Sequence, residues 1–211
     1  MNSTRRVARS GWPWAALAFG VSVLVLVATR AAAAPDRPAL AYWAFNCFTT
    51  CGDANFQPEA VGLSTASMSS SFAPDAGVNE SGTTLNSIPP YEARSSLTLR
   101  TGTGGSNNGR NLTWRVNTTG YTFISVSFAA RRSAAGFNNN QFQYTLDGSS
   151  FVDFGAPFDA GSGFAVVAFD LRHVKGLNNN PNAGFRIVFN GGSTTDAGEF
   201  TLIDNLQVTG K

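Results

Sequence analysis

Histidine occurs once in this chain, at His173, and cysteine twice, at Cys47 and Cys51. Only 13% of the 211 residues are charged, and just four, Glu59, Glu80, Glu92 and Glu199, are glutamate. Each scarcity excludes a chemistry. One histidine and two cysteines cannot fill a soft-metal site. His173 has no nucleophile to serve either, since no Gly-x-Ser-x-Gly motif is present, and it reads as a loop residue. The glutamates fall in loops or at strand starts and form no Glu-x-Asp-x-x-Glu strand, so the facing carboxylates of a glycosidase are not indicated. Asp147 and Asp153 flank a turn, where aspartate is ordinary. The glycine-rich run from Thr101 to Gly109 lacks the Gly-Lys-Ser/Thr ending of a phosphate loop, and a strand follows it rather than a helix. No catalytic residue, and no cofactor beyond a structural ion, is expected.

Long apolar runs are equally scarce. The only one, uncharged from Trp12 to Thr29, follows Arg5, Arg6 and Arg9 and leads into Ala31–Ala34 before Pro35. That is the layout of an export signal with a small-residue cleavage site, so residues 1–34 read as a signal peptide and 35–211 as a single domain. An uncleaved anchor is the alternative reading, opposed by Gly11, Pro13 and Gly20, which weaken the helix. Thr4-Arg5-Arg6-Val7 leaves twin-arginine export open. The leader carries four of the 15 basic residues, and its loss takes the net charge from +2 to −2. A domain with no basic excess is a poor partner for nucleic acid. It would meet a membrane only through the leader. In an oxidising compartment Cys47 and Cys51 are expected to form a disulfide closing a short loop, with two free thiols the alternative. Asn79, Asn111 and Asn117 begin glycosylation sequons, which matter only in a eukaryotic host; 13 Arg against 2 Lys leans toward a GC-rich bacterial genome.

What is abundant is alternation. Apolar and polar residues trade places along Leu40–Asn46, Ser96–Arg100, Leu112–Asn117, Tyr121–Arg132, Gln141–Leu146, Phe151–Phe154, Phe164–Leu171, Phe185–Asn190 and Phe200–Val208. Gly, Asn, Asp and Ser separate these runs. Ile124, Val126 and Phe128 share one face, as do Phe142, Tyr144 and Leu146. Phe185, Ile187 and Phe189 lie opposite Arg186. Asp147-Gly148 marks a hairpin. Residues 57–92 are less regular, with two weak strands expected. Nine or more strands without a helical crossover give an all-β antiparallel sandwich whose core is filled from 17 Phe together with Trp43 and Trp114.

Four segments carry a resemblance: Tyr42-Trp43-Ala44-Phe45-Asn46, Phe142 to Gly148, Phe185 to Phe189 and Ile203-Asp204-Asn205-Leu206-Gln207-Val208. Together they resemble the exported bacterial jelly-roll domains found in PEP-CTERM-type sorted and multidomain surface proteins. The resemblance implies a jelly roll of galactose-binding or concanavalin-like architecture, secreted or periplasmic. Gly210-Lys211 follow the last expected strand directly, so anchoring through a sorting tail is not expected. It also implies a structural calcium where the first and last strands meet, with Asn46 and Asp204 as ligands. Alternation supports this by setting Asp204 on one face with Leu202, Leu206 and Val208, where a carboxylate needs a partner. Function is read as noncatalytic binding, with a glycan or cell-surface polymer as ligand. Adhesion to other surface proteins is the first rival and a polysaccharide-active enzyme the second. Asn138, Asn139, Asn140 and Asn179 offer neutral hydrogen-bonding groups for sugar hydroxyls, and Tyr91, Tyr121 and Phe137 offer stacking faces. Such a site would be largely insensitive to salt.

Overall fold

The computed structural model describes residues 37–46, 65–72, 76–79, 81–193 and 198–211. The leader, Cys47 and Cys51 lie outside the described residues. Eleven strands follow one another among the described residues: β1 (Ala39–Trp43), β2 (Ser67–Ser70), β3 (Ala76–Asn79), β4 (Ser96–Arg100), β5 (Asn111–Arg115), β6 (Ser125–Arg132), β7 (Gln141–Thr145), β8 (Phe151–Asp153), β9 (Ala165–Asp170), β10 (Gly184–Val188) and β11 (Phe200–Thr209). They form two antiparallel sheets. The five-stranded one runs β2-β5-β10-β7-β8, and the six-stranded one runs β3-β4-β11-β6-β9 with β1 also paired to β11. No described helix is long and apolar enough to cross a membrane.

Alternation puts Leu112, Trp114, Phe142, Phe185 and Ile187 of one sheet against Trp43, Leu97, Val126, Phe128, Ile203, Leu206 and Val208 of the other. Phenylalanine fills the gap. The ring of Phe142 stacks on Phe169 with centroids 3.8 Å apart and lies 6.3 Å from both Phe154 and Phe185. Truncating it strips contacts from both sheets at once. We expect Phe142→Ala to cost about 3–5 kcal/mol, measured by denaturant unfolding. A loss under 1 kcal/mol would mean that the stack adds little.

The hairpin expected at Asp147-Gly148 joins β7 to β8. Asp147 Oδ1 accepts from Ser149 N and Ser150 N at 2.7 Å and from Thr145 Oγ1 at 2.9 Å, which holds its carboxyl well below the usual carboxylate range. Gly148 follows at φ 77°, a conformation that disfavours any side chain. Leu146 departs from the alternation, for it lies past the strand and is 42% exposed.

β11 breaks its own alternation as well. Asn205 sits at φ 50°, and between Asp204 and Gln207 the register against β6 shifts by a bulge. Ile203, Leu206 and Val208 therefore point into the core, while Leu202 and Asp204 take the outer face. Asp204 does not share a face with Leu206 and Val208 as strict alternation implied. It is buried nonetheless, at 1% exposure, because the segment around 83–86 bonds down onto this stretch of the sheet.

Candidate functional site

The seven residues selected as a ligand site do not come together. Phe137 has no exposed surface; its ring packs 5.6 Å from Phe72 and Phe189 and fills the end of the core, so it offers no stacking face. Asn140 is likewise fully buried, bridged to Phe158 and donating to the carbonyls of Phe137 and Phe158. Both were assigned to an exposed loop, and the bridge to Phe158 draws the chain inward at that point. Asn138 and Asn139 are exposed beside them. Asn179 is exposed at the opposite end of the sandwich, beyond Tyr121, whose carbonyl accepts from Asn179 N. The ten residues of β11 separate those ends by roughly 30 Å. Tyr91 lies in a third place, its ring 5.1 Å from that of Tyr42 over the β11 bulge.

The asparagine clusters have a different use, and most of their amides are bonded to neighbouring backbone. Asn178 Oδ1 accepts from Phe123 N and Asn179 Oδ1 from Gly120 N. Asn180 donates to the carbonyls of Leu146 and Gly176. Asn108 exchanges two hydrogen bonds with the backbone of Gly192. These side chains tie loop to loop and stand in for strand pairing where the strands end.

The pair assigned to calcium is similarly engaged. Asp204 Oδ2 accepts from Thr83 N at 2.7 Å and Oδ1 from Asn205 N at 2.8 Å. Asn46 Oδ1 accepts from Ser95 N, and its amide donates to Glu92 O. A calcium ion takes six to eight oxygens. Here it would have to share oxygens that already accept backbone N–H bonds, so the donor set suits the ion poorly. Burial outweighs the two N–H donors and pushes the Asp204 carboxyl up to about 7.

A richer surface lies on the outer face of the five-stranded sheet. Register aligns Ser69, Thr113, Arg186, Gln143 and Asp153 in one row across all five strands. Arg186 Nε donates to Gln143 Oε1 and Gln143 Nε2 donates to Asp153 Oδ1, both at 2.7 Å. The guanidinium carbon of Arg186 lies 3.9 Å from the centroid of Phe151. The next row reads Ser67, Arg115, Gly184, Thr145 and Phe151. Gly184 has no side chain there, and Arg115 reaches across to the carbonyl of Gly148. The result is a broad polar face of hydroxyls, an amide, two guanidiniums and a carboxylate, with one aromatic ring among them. Gln143 and Arg186 were legible as outward residues of their own strands. Their alignment with Thr113 and Asp153 depends on register, which no single strand encodes.

No protein-family model and no curated protein matches this chain. Among solved structures it is similar to a family 61 carbohydrate-binding module in complex with β-1,4-galactotriose, at 9% identity over 70% of this chain and 90% of that one, with TM-score 0.39. It is also similar to the K2 cleaved adhesin domain of Lys-gingipain, at 11% identity over 77% and 97%, with TM-score 0.45. A third is the tandem of two family 22 carbohydrate-binding modules from Paenibacillus barcinonensis Xyn10C, at 13% identity over 84% of this chain and 47% of that one, with TM-score 0.46.

Proposed function

We propose that the domain is an exported glycan-binding module that recognises polysaccharide on the outer face of its five-stranded sheet without cleaving it. The row Ser69–Thr113–Arg186–Gln143–Asp153 carries this reading. Sugar rings present alternating donors and acceptors, and this row presents the same in a fixed order on a rigid scaffold. Gln143 is held from both sides, so its remaining N–H and lone pair are oriented before any ligand arrives. Export through the leader places the module where polysaccharides are met.

Affinity pull-downs on insoluble polysaccharides, run beside reducing-sugar release, test the proposal. The protein should be retained without releasing sugar. Gln143→Ala should weaken retention about tenfold, the effect of roughly 1.4 kcal/mol, while Asn139→Ala and Asn179→Ala leave it unchanged. Retention lost in the loop variants and kept in Gln143→Ala would move the site to the loops. Adhesion between proteins is the second reading, favoured by β9, an edge strand uncharged before Asp170 with Val166 49% exposed. Failure on every polysaccharide would leave that reading standing.

A further inference from the structure

Arg186 stands at the centre of the proposed site, on the middle strand of five, and its plane is fixed twice. Its face rests on Phe151 at 3.9 Å, and its Nε is pinned to Gln143 at 2.7 Å. Both Nη groups have no hydrogen-bond acceptor among the described residues. The nearest carboxylate, Asp153, is held off by Gln143, which lies between the two and accepts from one while donating to the other. The described ion pairs are Arg132 with Asp159 and Arg172 with Asp170, and neither involves this arginine. Asp147, the other acidic residue at this face, is bound into its own turn by three donors. A half-buried guanidinium with a fixed plane and two unused Nη groups thus has Asp153 in its neighbourhood but no carboxylate in hydrogen-bonding contact. Burial disfavours its charge more than the nearby Asp153 carboxylate restores it, a deficit that an anionic ligand would offset.

The fork geometry of a guanidinium matches a carboxylate, which it binds through two parallel hydrogen bonds. A sugar hydroxyl pair would satisfy the same N–H groups but bring no charge to balance the cation. Arg115, diagonal to Arg186 on the adjacent strand, is a second, exposed cation at this face, its own guanidinium donating to the carbonyl of Gly148. We propose that the ligand is an acidic polysaccharide, and that Arg186 binds the carboxylate of a uronic acid residue. The inference rests on the glycan-binding reading of this face. It replaces the neutral, salt-insensitive ligand expected from the asparagine loops.

The test uses the purified protein on immobilised polygalacturonate, alginate and hyaluronan. Each polymer is compared with its carboxyl-reduced form, and dextran sulfate serves as a polyanion without carboxylates. At least one uronate polymer should retain the protein, and reduction of its carboxyls should abolish retention. Raising salt from low to high should weaken binding. Arg186→Gln should weaken it tenfold or more, and Arg186→Lys, which keeps the charge but not the fork, should fall between. Unchanged melting of both variants would show that the sheet is intact; should Arg186→Gln unfold, Arg186→Lys and the reduced polymers still decide. Equal retention on native and reduced polymers would overturn the acidic ligand and leave the glycan reading standing. Equal retention on dextran sulfate would overturn carboxylate recognition in favour of general charge. No retention on any native or reduced polymer would overturn the glycan reading itself.

Discussion

Replacing Asn205 by alanine is expected to destabilise the domain by about 4 kcal/mol, from three lost hydrogen bonds and one strained dihedral. The Asn205 amide donates to the carbonyls of Thr83 at 2.6 Å and Leu85 at 2.9 Å, and its Oδ1 accepts from the buried Tyr42 hydroxyl at 2.5 Å. Its backbone sits at φ 50°, where asparagine is tolerated and alanine is not. Asn205→Gly separates the two contributions, because it gives up the hydrogen bonds while relieving the dihedral. It should be more stable than Asn205→Ala by about 1 kcal/mol. Denaturant unfolding of both variants measures this. Values within 1 kcal/mol of the parent for both would show that the segment around 83–86 is not anchored by this residue.

The second expectation concerns acid. Asp204 has its carboxyl raised from 3.8 to about 7 by burial, so between those values the folded protein binds a proton that the unfolded chain has released. Stability from this group is therefore fully present below about pH 4, declines as pH rises, and is lost above about pH 7. The change is of the order of 4 kcal/mol across the window. Thermal melts from pH 4 to 8 should show the decline, and Asp204→Asn should flatten it. Calcium bound at Asp204 would reverse the sign, because an ion holds the carboxylate charged. Stability would then rise with pH in calcium and drop on adding chelator. A midpoint that declines with pH and is unmoved by calcium or chelator leaves Asp204 as a hydrogen-bonded acid.

These two residues also mark where reading the sequence stops. Alternation located β4 at its observed ends and most other strands to within a few residues, because side-chain period is a local property. It set Ile124, Val126 and Phe128 inward correctly, and Trp43 and Trp114 in the core. It failed at Asn205, where one residue at positive φ reverses the phase of everything after it. The segment around 83–86 has no period at all; what fixes it is its bonding to Asp204, Asn205 and Gln207, more than a hundred residues along the chain. The binding face was half legible. Gln143 and Arg186 were recognisable as outward, Asp153 passed as turn chemistry, and only register joined them. Phe137 and Asn140 misled because their flanking residues are those of an exposed loop, whereas the bridge to Phe158 turns them inward.

The position of β11 carries a consequence for folding. β1 and β4 lie end to end along one side of it and β6 along the other, so three strands that precede it in the sequence all depend on it for a partner. Until Phe200–Thr209 emerges, the six-stranded sheet has no middle. Closing it then requires pairing across nearly the whole domain, which slows folding. A chain in that condition can hold β3 against β4 and β6 against β9, but the two pairs become one sheet only when β11 lies between them.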